Sequence, residues 1–447
     1  MTTAASPFPF HVRKHTIPAQ HVREFARATA RSQEDVLRIH VKQYVPVDNP
    51  TPAPGDVTLI GAHANGFPKE LYEALWADLH RRAPAAGFRI RGIWIADVAN
   101  QGYSGELNEA ALGDDPCWLD HARDLLHLTN VFRAEMPRPL VGIGHSFGGC
   151  VLAQLALLHP RLLTTLVLLD PVIVRFTLSP GGTGKAPAQS STYRRETWPS
   201  RRDAAESFRR SPFYRSWDPR VLDAWIEHAI RDTPTLLFPD TKTGGNGKEV
   251  VGATLRTTKH QEVFTFFRPL WPHVRPDGSV SREGAPDFPP DLRDQIVGPQ
   301  PPFPFYRGEG PAVLRRLPEL QPSVMWVFGG TSDVSTPESR RSILERCGTG
   351  GGGSGGAPEG RVDQVVFEGL GHLFPMEVPD RCADVTATWI GREMARWREK
   401  EREYEEWARR PMREKTTLSR EYIEKVGPPP TRAKKGPVEG ADTESKL

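Results

Sequence analysis

One stretch limits the possible folds more than any other: PLVGIGHSFGGCVLAQLALLHP, residues 139–160. The apolar run from Leu140 to Gly144 reads as a strand and the run from Gly149 to His159 as a helix, because only the second is long enough for one. Neither run alternates apolar with polar residues. Both are therefore expected to be buried on all sides, as in a parallel sheet covered by helices. Between them, Gly144-His145-Ser146-Phe147-Gly148 puts a serine in a G-x-S-x-G frame on a sharp strand-to-helix turn, with its Oγ exposed. The helix starting there turns its positive end towards any oxyanion formed at that serine. A second match, Gly352–Gly356, follows no strand, and seven of the nine residues from Gly348 to Gly356 are glycine. It reads as a flexible loop.

The alternation extends to either side. Strands are predicted at Val36–Val45, Val57–Gly61, Ile90–Ile95, Leu163–Leu169, Val324–Phe328 and Val365–Phe367. A helix is predicted to follow Asp115, whose carboxylate would cap it with Pro116 in first position, and to end near Pro137. Another should span roughly Cys382–Arg396. The fold class is thus α/β, a mostly parallel sheet flanked by helices. The pattern stops over residues 172–317, where helical pieces occur around Leu222–Ile230 and Gln261–Phe267 and eight prolines crowd residues 276–304. The expected organisation is a lead-in over 1–34, a core over 35–171 and 318–396, a cap insertion over 172–317, and a charged helix with a flexible tail over 397–447.

Composition removes other classes. Lys and Arg number 58 against 55 Asp and Glu, a net charge of +3, which is too balanced for a nucleic-acid-binding face. The most apolar stretch, Val151–Val174, is broken by His159, Pro160, Arg161 and Asp170, so no transmembrane segment is expected. The N-terminus has no apolar run after a basic start, hence no signal peptide is expected. Cys117, Cys150, Cys347 and Cys382 form no CxxC pair and have no histidine at metal spacing. No G-x-G-x-x-G opens a helix after the first strand. Neither a cofactor nor a metal is expected.

A serine hydroxyl needs a base to take its proton. In sheets of this kind the chain order is nucleophile, acid, then histidine after the last strand. His372, in EGLGHLFPMEVP just after Val365–Phe367, fits that place. His145 adjoins the serine, so its side chain should point elsewhere; His121 and His127 belong to a helix. Two acids compete. Asp170 ends the run TLVLLD and is stiffened by Pro171, while Asp333 lies beyond the strand in VMWVFGGTSD. Both project from the C-terminal edge of the sheet, where α/β sites lie, and either would hold the imidazole. The residues alone leave the two even. For an oxyanion, Phe147 offers the N–H after the nucleophile, and Phe67, in HANGFP, offers one from the loop after Val57–Gly61.

The segments IGAHANGFPKELYEALW, RGIWIADVANQGYSG, DDPCWLDHARDLLH, PRPLVGIGHSFGG and VFGGTSDVSTP together resemble the fungal peroxisomal α/β-hydrolase group. That group includes a yeast peroxisomal lipase, hydrolases of AK-toxin biosynthesis and the acyl-CoA hydrolase of mycophenolic acid synthesis. The likeness covers about 35–175 and 320–395 and is weaker across the insertion. It implies the α/β-hydrolase fold and a triad of Ser146, Asp170 and His372, since in the acyl-CoA hydrolase the acid follows the strand after the nucleophile. It also implies substrate contacts at the backbones of Phe67 and Phe147. Asn65-Gly66 stands where many superfamily members have His-Gly.

The chain ends in Ser445-Lys446-Leu447, an address read by the peroxisomal import receptor. The expected function is a peroxisomal serine hydrolase of an ester or thioester acyl substrate working through an acyl-enzyme. The alternatives are a carboxylic ester lipase and a non-catalytic ligand receptor on the same fold. Residues 172–317 carry 22 Lys and Arg against 16 Asp and Glu, and eight arginines fall between Arg194 and Arg220. This excess predicts a surface for the phosphates of an acyl-CoA, with Arg201 and Arg202 among its members.

Overall fold

A computed structural model describes residues 8–175, 185–240, 242–243, 249–269 and 305–429. Eight strands form the central sheet: β1 (Phe10–Pro18), β2 (Arg38–Pro46), β3 (Val57–Ala62), β4 (Ile90–Ala96), β5 (Leu140–His145), β6 (Thr165–Leu169), β7 (Ser323–Gly329) and β8 (Val362–Phe367). Their spatial order is β1-β2-β4-β3-β5-β6-β7-β8. The pairs from β4 through β8 are parallel, and β1 and β2 run antiparallel at one edge. The mostly parallel sheet expected from the apolar runs is therefore present.

Period-two alternation divides the sheet between two apolar layers. In β4, Ile93 and Ile95 face one layer while Trp94 and Ala96 face the other. The first layer is closed by α1 (Glu73–Arg82), through Trp76 and Leu79, and by Trp389 and Ile390 of the long helix Pro379–Ala408. The second holds α2 (Trp118–Val131) and α3 (Phe147–Leu158). Helix α3 is buried over nearly its whole length, which is why its sequence is apolar on every side.

Four local expectations need correction. The lead-in contains β1, which pairs with β2 from Phe10 opposite Pro46 to Pro18 opposite Arg38. Asp115 does not cap α2. It binds the Arg268 guanidinium at 2.6 and 2.7 Å instead, and the helix starts three residues later and ends at Val131. The glycine stretch is a hydrogen-bonded turn: the N–H groups of Gly348, Gly350 and Ser354 donate to Leu317, Pro318 and Leu320 at 2.8–2.9 Å. Helix Glu309–Arg316, at the end of the insertion, buries Val313 and Leu314 in the second layer and belongs to the core packing.

The described part of the insertion holds helices Lys185–Tyr193, Arg201–Arg210, Pro219–His228 and Lys259–Phe266, with a small antiparallel sheet of Thr197–Trp198, Ala253–Leu255 and Ile230–Asp232. Phe208, Tyr214, Trp217 and Trp225 pack edge-on or tilted in one cluster, which Phe67 of the core joins at 5.7 and 5.9 Å. The proline-rich residues 276–304 lie outside the described residues. A second unit begins at Arg398, and beyond the long helix it contains helices Met412–Thr416 and Arg420–Val426. The remaining tail, with Ser445-Lys446-Leu447, also lies outside the described residues. Among the described residues no helix is long and apolar enough to cross a membrane.

Candidate active site

Ser146 sits at the turn between β5 and α3 with φ 57° and ψ −122°, left-handed backbone that a serine adopts only under constraint. The flanking glycines make the turn possible. A Cβ at Gly148 would lie 2.3 Å from the Ala62 carbonyl oxygen, and one at Gly144 would lie 2.7 Å from the Gly148 oxygen. The backbone is held by Ser146 N–H donating to Leu169 at 2.9 Å, and by Val172 N–H donating to the Ser146 carbonyl at 3.1 Å.

The structure brings three of the sequence-predicted residues into one line. His372 Nε2 lies 2.8 Å from Ser146 Oγ, and His372 Nδ1 lies 2.6 Å from Asp170 Oδ2. An ionised carboxylate only accepts, so Nδ1 carries the proton and Nε2 is free to accept from the serine hydroxyl. Asp170 is fully buried at the end of β6, with φ 43°. Its oxygens also accept from the hydroxyls of Ser332 and Ser335 and from the Gly329 N–H. Burial pushes this carboxyl up, but the hydrogen bond and charge of His372 and the two serine hydroxyls outweigh it and hold it below the ordinary value. Asp333 is exposed at the turn between those two serines, and no hydrogen bond joins it to His372.

Phe147 opens α3, so its N–H has no partner within the helix and points out of its first turn beside Ser146. The Phe67 N–H differs from expectation. It closes a turn on the Ala64 carbonyl at 3.2 Å, because Gly66 at φ +81° folds the loop back on itself. The Phe67 ring packs on Trp217 and Trp225 and joins core to insertion.

A cavity of about 530 Å³ opens over Ser146 and His372. Its wall is mainly apolar, with Phe67, Trp118, Phe147, Phe266 and Phe267 prominent, and it is of a size that takes a small organic ligand. Of the eight arginines between Arg194 and Arg220, only Arg194 lines it, and its guanidinium is paired with Glu262. Arg201 donates to the carbonyls of Ile230 and Glu227, and Arg202 pairs with Glu206 one helical turn away. Arg209 pairs with Asp223, and Arg220 bridges Asp78 and Asp218. Arg201 and Arg202 thus have partners within the insertion, and neither lines the cavity. Among the described residues no group of three or more His, Cys, Asp or Glu is placed to hold a metal ion.

Sequence reasoning missed Ser332, Ser335, Tyr72 and the contacts of His145. The serines bracket Asp333 in TSDVS, but nothing local says that they turn towards Asp170. His145 does not line the cavity and finds its own partners: Tyr72 Oη at 2.9 Å and the His372 carbonyl at 3.0 Å.

Comparison with known proteins agrees with the resemblance read from the motifs. Residues 59–385 match the alpha/beta hydrolase family. The type I acyl-CoA thioesterase mpaH' of Penicillium brevicompactum is 42% identical over 404 residues, 89% of this chain and 91% of that protein. The abhydrolase domain-containing protein AFT2-1 of Alternaria alternata is 30% identical over 57% of this chain and 84% of its own. Among solved structures, the peroxisomal alpha-beta-hydrolase Lpx1 of Saccharomyces cerevisiae superposes with a TM-score of 0.63 at 15% identity, covering 92% of this chain and 99% of that one. With the family matched across most of the chain and a thioesterase matched across nine-tenths of both proteins, this chain belongs to the α/β hydrolase family and is a hydrolase.

Proposed function

We propose that this hydrolase cleaves acyl-CoA thioesters by serine catalysis through an acyl-enzyme. The observation that carries the reading is the hydrogen-bonded line Ser146–His372–Asp170 at the floor of an apolar cavity, in a chain 42% identical to a type I acyl-CoA thioesterase. Ser146 Oγ attacks the thioester carbonyl carbon while its proton passes to His372 Nε2. The developing oxyanion accepts from the Phe147 N–H and from the Phe67 N–H, which exchanges its long bond to Ala64 for the substrate oxygen. Collapse breaks the C–S bond, and the His372 proton leaves with the CoA thiol. Water, deprotonated by His372, then attacks the acyl-enzyme, and the acid departs as Ser146 regains its proton. Asp170 keeps the imidazole in the tautomer this needs and stabilises the imidazolium.

Assay of the purified protein against acyl-CoAs, p-nitrophenyl esters and triglycerides tests this reading. Thiol release from an acyl-CoA, at kcat/KM above the matching neutral ester, is the expected result. Preference for triglyceride would replace the thioesterase with a lipase, and failure of Ser146 to react with a fluorophosphonate would leave a ligand receptor.

The proposed location is the peroxisomal matrix, through Ser445-Lys446-Leu447. A fluorescent protein fused ahead of residue 1 should collect in peroxisomes, and removal of those three residues should release it. Punctate signal that survives the deletion would reject this address.

A further inference from the structure

Beneath the reaction centre, four hydrogen-bonding groups form a line whose direction is fixed throughout. The Ala64 N–H can only donate, so Tyr72 Oη, 2.9 Å away, accepts. Tyr72 therefore offers its own proton to His145 Nδ1 at 2.9 Å. His145 then carries its proton on Nε2, which donates to the His372 carbonyl at 3.0 Å. The Ala64 carbonyl, in the next peptide group, is held as well. Val98 N–H donates to His63 Nε2 at 3.0 Å, so His63 Nδ1 carries a proton and gives it to the Ala64 carbonyl at 2.8 Å. Tyr72, His145 and His63 are all buried and none lines the cavity. Burial also holds the Tyr72 phenol protonated and pushes His145 down to about 3, so neither changes charge near neutral pH.

The two ends of this line are the two loops that the proposed reaction needs in register. Ala64 is the root of the loop that offers the Phe67 N–H, and the His372 carbonyl belongs to the residue whose ring takes the serine proton. The His145 and His372 rings lie 5.2 Å apart. We propose that Tyr72 and His145 are positioning residues that tie the oxyanion loop to the base loop, so that oxyanion donor and base keep one fixed separation. This rests on the reading of Ser146, His372 and Asp170 given above. Neither residue touches substrate. Their effect is on alignment, where an error of about 1 Å costs on the order of 100-fold in rate.

The test measures the rate at which a fluorophosphonate labels Ser146, together with kcat and KM for an acyl-CoA. The full-length wild type, Tyr72→Phe, His145→Gln, the double variant and Ser146→Ala are compared, each well below its own melting temperature. Wild type should label and Ser146→Ala should not; if wild type fails to label, the serine-hydrolase reading itself falls. Given that it labels, Tyr72→Phe is expected to slow labelling and kcat about 10- to 100-fold with KM within about twofold, as one buried line is left with an unmatched donor and acceptor. The double variant should be no more than about threefold worse than the poorer single, because one interruption already opens the line. Wild-type labelling in folded Tyr72→Phe would overturn the proposal while leaving the triad reading intact. So would losses in the two singles that multiply in the double. If Tyr72→Phe does not fold, His145→Gln decides alone: slowed labelling at unchanged KM supports the line, and unchanged labelling rejects it.

Discussion

Asp170, buried behind the cavity, and the arginines of the insertion are charged groups that the protein handles in opposite ways. Asp170 is a buried anion held by an imidazole, two hydroxyls and one backbone N–H. Most arginines of the insertion's first helices are instead paired with carboxylates or turned to backbone carbonyls: Arg194 to Glu262, Arg201 to Ile230 and Glu227, Arg220 to Asp78 and Asp218. An arginine beside Asp170 would compete with His372 for the carboxylate and weaken its hold on the ring. Without Glu262, the mostly buried Arg194 guanidinium would be left partly desolvated and uncompensated. A surplus of charge in a sequence is therefore not a binding surface until its partners are known.

The comparison can be broken at several points, of which Ser146→Ala has the largest expected effect. It should lower kcat for acyl-CoA hydrolysis on the order of 10⁶-fold with the fold retained, and His372→Ala should match it, since members of a triad act as a unit. Turnover near wild type in either would remove the reaction from this site. Next, Asp170→Asn should cost about 10⁴-fold in kcat. Exposed Asp333→Asn should stay within about twofold, because it carries no hydrogen bond to the line. The reverse ranking would move the acid across the turn. Smaller again, Ser332→Ala combined with Ser335→Ala removes two hydrogen bonds to a charged group and should lower kcat roughly 10- to 100-fold. An unchanged kcat would mean that the imidazole alone holds Asp170.

A fourth expectation concerns His121, buried on α2 with both ring nitrogens unpartnered and pushed down by burial to about 3. In the unfolded chain it titrates near 6.5. The folded state thus binds fewer protons between pH 6.5 and 3, and its stabilisation is full above pH 6.5 and lost as the pH falls. Asp120, pushed up by burial to about 6, works in the opposite sense. His121→Phe should therefore flatten the pH dependence of unfolding free energy by up to about 1.4 kcal/mol per pH unit between pH 6 and 4. Denaturant titrations across that range would show it, and parallel curves would reject it.

The weakest effect belongs to the insertion. Arg201→Glu should lower the unfolding midpoint without raising KM for acyl-CoA, because it removes two bonds to backbone carbonyls. Arg202→Glu should be close to silent, as an exposed pair one helical turn apart contributes about 0.3–0.5 kcal/mol. Exposed Arg210 and Arg215, which carry no ion pair, are the better probes of CoA phosphates. Reversing both to Glu should raise KM for acyl-CoA roughly three- to tenfold at low salt and less at high salt. An effect of Arg202 equal to theirs would restore the surface expected from composition.

What could be read in advance follows from how local each signal is. The turn at Ser146 is spelled out by eleven consecutive residues, Leu140–Cys150, and the apolar runs on both sides leave β5 and α3 no exposed face. The position of His372 follows from chain order. The choice between Asp170 and Asp333 was even on the residues, since both end up at one sheet edge; what separates them is the pair of serines reaching across from the next strand's turn. Long-range pairing is equally hidden at Asp115, whose cap-like position was overridden by Arg268, 153 residues away. Strand β1 escaped notice because its sequence, FHVRKHTIP, buries only its ends and reads as polar.

That first strand has a consequence for anyone shortening the protein. Residues 1–34 look dispensable by composition, yet β1 covers the whole length of β2, from Phe10 opposite Pro46 to Pro18 opposite Arg38. Cutting the chain at residue 35 would leave β2 with a row of unpaired N–H and C=O groups. The present edge, β1, carries exposed His11, Arg13 and Lys14, whereas β2 is mostly buried. The trimmed protein would trade a charged edge for a more apolar one and would tend to self-associate along it even if every residue around Ser146 were untouched.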